Sequence, residues 1–90
     1  MDINKTLQER EKTYGSFESF SEISQALKNT LRASDGHANL TNAQVESLDM
    51  IMHKAARILN GSPDHIDSWH DIAGYAQLVV DILEEQAKND

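Results

Sequence analysis

Four acids stand in two pairs at helical spacing: Glu46 and Asp49 in ESLD, and Asp67 and Asp71 in DSWHD. Spacings of three and four put both members of each pair on one helix face. Four carboxylates on two adjacent helices offer the oxygen donors that a hard cation such as Mg²⁺ prefers. A cation held there would bind nucleotide phosphates and activate a water. In that reading Glu46, Asp49, Asp67 and Asp71 are the metal ligands, and Glu46, Asp49 and Asp71 carry the catalysis. The same spacing also suits solvated acids. Asp67 then complements the positive end of its helix, and Arg57 pairs with it across the turn.

Basic and aromatic residues lie close to these acids in the chain. His53, Lys54 and Arg57 would hold substrate phosphates, or else pair with neighbouring acids one turn away. Arg10, Lys12, Tyr14 and Gly15 form a basic-aromatic segment that could cover a base and its phosphate, with Tyr14 or Tyr75 stacking on the base. The bland alternative is a polar helix end packed by one tyrosine. His37, His65 and His70 have no ligand spacing to one another and read as surface or capping residues. No phosphate-binding loop, dinucleotide fingerprint, zinc signature or nucleophile elbow is present.

These side chains need helices to position them, and the patterning supplies only helices. No stretch alternates apolar and polar residues long enough to be a strand. The polar segment 1–15 reads as a short helix stopped by Gly15. Ser16 caps a helix over 16–33, whose Phe17, Phe20, Ile23, Leu27 and Leu31 keep helical spacing. ASDGHANL is a loop. Thr41 with Gln44 forms a capping box for a helix over 41–60. Gly61 ends it, and Ser62-Pro63 reads as the cap and first residue of a last helix over 63–87. So short a link makes the last two helices antiparallel neighbours. The last helix is apolar on one broad side, through Trp69, Ile72, Ala73, Ala76, Val79, Val80 and Leu83. Leu78 and Ile82 interrupt the other side, which suggests a contact with another subunit. Gly74, in mid-helix, reads as a close approach of a neighbouring helix, with a flat ligand as the alternative.

The totals set the outer bounds. Ninety residues make a single domain, 1–90, with a modest core that favours a homo-oligomer, a dimer or larger. The absence of cysteine excludes disulfides and thiolate metal sites. The composition lacks a membrane span or an apolar leader, so a cytoplasmic protein is expected. Fifteen acidic against eight basic residues, a net charge of −7, argue against direct binding of duplex DNA. They fit a cation-holding protein, or an acidic face for a basic host protein.

Three segments, EREKTYGSF, ESLDMIMHKAARILNG and DSWHDIAGYAQLV, occur in this order. The set resembles small phage and prophage proteins related to the all-α nucleoside triphosphate pyrophosphohydrolases of the MazG type, in the nucleotide-modification-associated branch. The resemblance covers about residues 8–83, and Asp-x-x-x-Asp-x-x-Gly-Tyr is its most specific part. It implies an oligomeric helical bundle, Mg²⁺ held by helix-borne acids, and cleavage of a nucleotide between its α- and β-phosphates. By position Glu46 and Asp49 match the acid pair before the turn, Asp67 and Asp71 the acids after it, and Lys54 and Arg57 the basic positions between. The enzymes carry a further Glu-x-x-Glu pair, for which this chain has only Glu18 and Glu22, four apart. The leading expectation is a metal-dependent nucleotide pyrophosphohydrolase-like protein, and that departure motivates the alternative of a protein that holds a nucleotide, or a nucleotide-derived defence signal, without cleaving it. An acidic inhibitor of a host nucleic-acid-binding protein is the remaining alternative.

Overall fold

Helices begin where the sequence offers a cap. In the computed structural model, which describes residues 2–89, the Asp2 carboxylate accepts from the backbone N–H groups of Asn4 and Lys5 and opens α1 (Ile3–Tyr14). Residues 1 and 90 of the expected domain lie outside the described residues. Gly15 ends α1 at φ 77°, a left-handed conformation that glycine adopts without a Cβ penalty. Ser16 caps α2 (Phe17–Ala33) through the Ser19 N–H. The expected loop after α2 contains a 3₁₀ turn, Asp35–Asn39. Thr41 and Gln44 close the capping box of α3 (Asn42–Asn60) with bonds of 2.9 and 3.2 Å. The architecture is all-α, an antiparallel helical hairpin preceded by N-terminal helices, with no strand among the described residues.

One boundary differs from expectation. The last helix, α4 (Ile66–Lys88), starts three residues after Pro63, and His65 rather than Ser62 is its cap residue. The intervening segment is used elsewhere. The Ser62 N–H donates to the Thr13 carbonyl at 2.9 Å, and the Pro63 carbonyl accepts from Trp69 Nε1 at 2.8 Å. Ser62 and Pro63 thus tie the α3–α4 turn to the end of α1 and to the first turn of α4.

α3 lies in the middle, packed against α4 and α2, while α1 touches α2 and α3 only lightly. Three buried serines, Ser24, Ser47 and Ser68, keep side-chain bulk low within α2, α3 and α4. Ser47 Oγ donates to the Tyr75 carbonyl at 2.9 Å, so its hydroxyl is satisfied across the α3–α4 seam. The core is thin: Phe20 and Ala56 are the buried apolar residues among those described. The molecule is long, 52 × 27 × 24 Å, with a radius of gyration of 15.7 Å. A compact chain of this length would have about 12 Å.

The broad apolar side of α4 is divided by this packing. Ile72 and Val79 are half-buried, in line with Ser68 and Tyr75. Trp69, Ala73, Ala76, Val80 and Leu83 remain exposed, as do Leu78 and Ile82. Gly74 also departs from expectation. A Cβ built on it meets nothing within 4 Å, so no neighbouring helix approaches there.

Candidate functional site

Long-range hydrogen bonds concentrate at the joint between the end of α1 and the α3–α4 turn. Asn60, the last residue of α3, donates through Nδ2 to the carbonyls of both Tyr14 and Ser16 at 2.9 Å. Gly61 lies so close to Thr13 and Tyr14 that an added Cβ would sit 2.6 Å from Tyr14 Cα. Tyr14 therefore has a fixed backbone, held by residues far along the chain.

Its side chain is fixed as well. The Tyr14 hydroxyl and His65 Nε2 are 3.2 Å apart and share a hydrogen bond. The two rings meet edge to face with centroids 5.4 Å apart. The Arg57 guanidinium lies over the Tyr14 ring, 4.5 Å from its centroid, and 5.7 Å from the centroid of Phe20. Arg57 is thus lodged between aromatic rings of α1 and α2. Stacking of this kind orients the planar guanidinium and leaves its N–H edges free to face a ligand.

Arg10 stands one turn before Tyr14 on α1. Together Arg10, Tyr14 and Arg57 border two clefts. One, of about 390 Å³, is completed by Leu7, Glu11, Gly15, Phe17 and Phe20. The other, of about 480 Å³, is completed by Thr6, Glu9, Thr13 and His65. Among the described residues neither Arg10 nor Arg57 has a carboxylate within 4 Å. In a chain with fifteen acids, that leaves two guanidinium groups beside one tyrosine for an external anion. Arg57 stacks on Tyr14 instead of pairing with Asp67 as the solvated-acid reading expected.

His53 lies behind this group. Its ring meets Phe20 edge to face at 4.9 Å. Burial, and then the positive charges of Arg57, Lys28 and Lys54, push its pKa down to about 4. It is a neutral imidazole at neutral pH. Lys28 joins His53, Lys54 and Arg57 in a basic patch spanning α2 and α3, a contribution from α2 that spacing within α3 alone does not signal.

The acids are placed differently. Lys54 Nζ bonds Asp71 Oδ2 at 2.9 Å, and this bond, with the lysine's charge, lowers the Asp71 pKa. Asp67 is exposed and 3.9 Å from His65 Nε2. Asp49 is half-buried. Exposed Glu46 lines a groove with Tyr75, Leu78, Asp81 and Ile82. Among the described residues no three acids or histidines converge as a metal-binding group. Tyr75 lies away from the Tyr14 clefts, and Lys12 borders a separate shallow depression with Gln8 and Glu11.

The structure therefore brings together Arg10, Tyr14 and Arg57 of the expected binding residues, with His53 behind them. It adds Phe17, Phe20, His65 and Asn60. A histidine and a phenylalanine placed singly in the sequence give little signal, because their value here comes from contacts between helices. No helix among the described residues is long and apolar enough to cross a membrane.

No solved structure matches the chain. A segment of the UDP-N-acetylmuramoylalanine–D-glutamate ligase of Lachnoclostridium phytofermentans is similar, 32% identical over 66 residues. That overlap takes in 73% of this chain, which spans only 14% of the ligase. The family described as "Domain of unknown function (DUF6378)" matches residues 3–83, nearly the whole chain, and the protein belongs to that family.

Proposed function

We propose that the protein is a nucleotide-binding module that holds a phosphorylated ligand in the cleft formed by α1, the start of α2 and Arg57 of α3. The supporting observation is the pair of guanidinium groups, Arg10 and Arg57, beside Tyr14, with no carboxylate partner among the described residues. Phosphate binds the guanidinium edges, where two parallel N–H donors match two oxygens. The base lies against the exposed ring of Phe17 and the apolar wall at Leu7 and Phe20. A cleft of about 390 Å³ is within the usual size of a small-molecule site. Glu11 also lines the cleft, and its charge disfavours anions that cannot reach both arginines.

The resemblance to the MazG-type enzymes supports a nucleotide as the ligand class. The arrangement of acids favours holding over hydrolysis. Asp71 is engaged by Lys54, and Asp67 and Glu46 do not converge on it. The ligand accordingly leaves intact, and its binding does not depend on Mg²⁺.

Calorimetric titration with nucleoside triphosphates, cyclic dinucleotides and ADP-ribose, each in Mg²⁺ and in chelator, tests this. At least one ligand is expected to bind equally in both and to be recovered intact by chromatography. Arg10→Ala, which removes a side chain with no carboxylate partner among the described residues, should weaken binding about ten-fold or more, as should Arg57→Ala. Full binding by both variants, or no binding at millimolar concentrations, overturns the reading. Mg²⁺-dependent cleavage would replace holding with hydrolysis.

A further inference from the structure

The outer face of α4 carries an apolar stripe of regular spacing. Ile66, Trp69, Ala73, Ala76, Val80, Leu83 and Ala87 follow one another by three and four residues in strict alternation. At about 100° per residue they fall within an arc of roughly 100°. This is the heptad spacing of a helix–helix seam, sustained for about 32 Å. All seven residues are exposed, including Ile66 at 69% and Trp69 at 54%. None carries a charge, in a chain where net charge −7 would otherwise oppose self-association. Along one edge the stripe continues into a groove where Leu48 and Ile51 of α3 meet Ala76 and Val79.

We infer that this stripe is a self-association surface, and that a second copy of the chain lies on it antiparallel, related by a two-fold axis. Two arguments favour a second copy. The first is area. A folded chain of 10.1 kDa is expected to expose about 5,300 Å², whereas this one exposes 6539 Å². The surplus exceeds the roughly 800 Å² that each partner buries in an interface of standard size.

The second argument is self-complementarity. In an antiparallel pair a two-fold axis near residue 78 pairs six of the seven, setting each small residue against a large one. Trp69 meets Ala87 of the second copy, Ala73 meets Leu83, and Ala76 meets Val80. His70 then falls near Glu84 of the second copy. A parallel pair instead sets Ala73 on Ala73, Ala76 on Ala76, Ala87 on Ala87 and Trp69 on Trp69, which leaves three hollow layers and an overfilled one. The other exposed apolar residues of α4, Leu78 and Ile82, are less suited. They share their groove with Glu46 and Asp81, so a two-fold contact there brings like charges together.

Single cysteines test both the surface and the direction, because the chain has none of its own. A disulfide needs Cα atoms about 4.4–6.8 Å apart. In the antiparallel pair two copies of residue 73 are about 15 Å apart along the axis, while residue 73 and residue 83 of the other copy are level. A mixture of Ala73→Cys and Leu83→Cys chains should therefore cross-link as the mixed species, and neither should cross-link with itself. Sedimentation of the unmodified chain should give twice 10.1 kDa. Val80→Glu should give a single chain of unchanged helicity by circular dichroism. Efficient self-linking of Ala73→Cys would establish a parallel pair and overturn the assignment. So would a monomer at all concentrations, the result expected if the stripe serves a different protein, or a dimer that survives Val80→Glu.

Discussion

The joint at Tyr14 and the outer face of α4 are both built from helix surfaces, yet they are finished in opposite ways. At the joint Asn60, Gly61 and Ser62 meet the backbone of α1 directly, and Tyr14 is held by His65 and Arg57. On α4 seven apolar side chains follow a regular spacing without a covering element. Directional contacts tolerate almost no change in shape, whereas an apolar stripe specifies spacing and bulk and leaves the partner to supply the rest. A binding cleft for a small ligand belongs to the first kind of construction, and a surface for another helix belongs to the second.

Two glycines give the sharpest way to break the comparison. Gly61→Ala puts a Cβ against the Thr13 carbonyl and Tyr14 Cα, both backbone and unable to rotate away. Overpacking of this kind costs about 1–3 kcal/mol, and the displaced Asn60 and Ser62 hydrogen bonds add about 1 kcal/mol. Gly74→Ala, on open helix surface, should instead stabilise by about 1 kcal/mol through helix propensity. Urea unfolding of the two variants should shift the midpoint in opposite directions. A Gly61→Ala chain as stable as the unmodified one would mean that α1 is not seated as described.

His53 gives an intermediate effect with a pH signature. Its folded pKa is about 4, below the unfolded value of 6.5. Between these values the unfolded chain binds more protons, so stability is complete above about pH 6.5 and declines as pH falls toward 4. Solvent reaches part of the ring, which limits the loss to on the order of 1 kcal/mol. Phe20 and Lys28 on α2, with Lys54 and Arg57 on α3, surround the imidazole. Comparison of unfolding at pH 7 and pH 4.5 should show a smaller decline in His53→Gln. Equal declines would remove His53 as the source.

These contrasts also explain which parts of the molecule were legible in the sequence. Ser16, the Thr41–Gln44 box and the Gly15 stop act over a few residues, so spacing reveals them. The apolar side of α4 was legible as a stripe, but its rotation about α3 was not. That rotation buries part of Ile72 and Val79 and leaves Trp69, Val80 and Leu83 outside. Arg10, Tyr14 and Arg57 were nameable as candidates because cations beside a tyrosine suit phosphate binding. Their meeting depends on Asn60 reaching the backbone at Tyr14 and Ser16, and an asparagine ending a helix does not announce that reach. For the same reason the acids could be assigned to faces but not to a common point.

Asp71 carries the smallest expected effect and separates two roles of the acidic residues. Its pKa is lowered chiefly by the hydrogen bond and charge of Lys54. The stabilisation from that pair is present above the ordinary carboxylate range and disappears as the acid is titrated. The Asp71 side chain is 46% exposed, and exposed pairs contribute little because water screens the attraction and two flexible side chains must be ordered. Asp71→Asn should therefore move the urea midpoint less than either glycine substitution and leave nucleotide affinity at Arg10 and Arg57 almost unchanged. A carboxylate that holds Mg²⁺ for a bound nucleotide behaves differently. Its loss abolishes any Mg²⁺-dependent gain in affinity while leaving stability in chelator untouched. Titration of Asp71→Asn with a nucleotide in Mg²⁺ and in chelator distinguishes the two. A difference between the conditions that exists in the unmodified chain and vanishes in the variant would assign Asp71 to a metal, and equal binding throughout assigns it to Lys54.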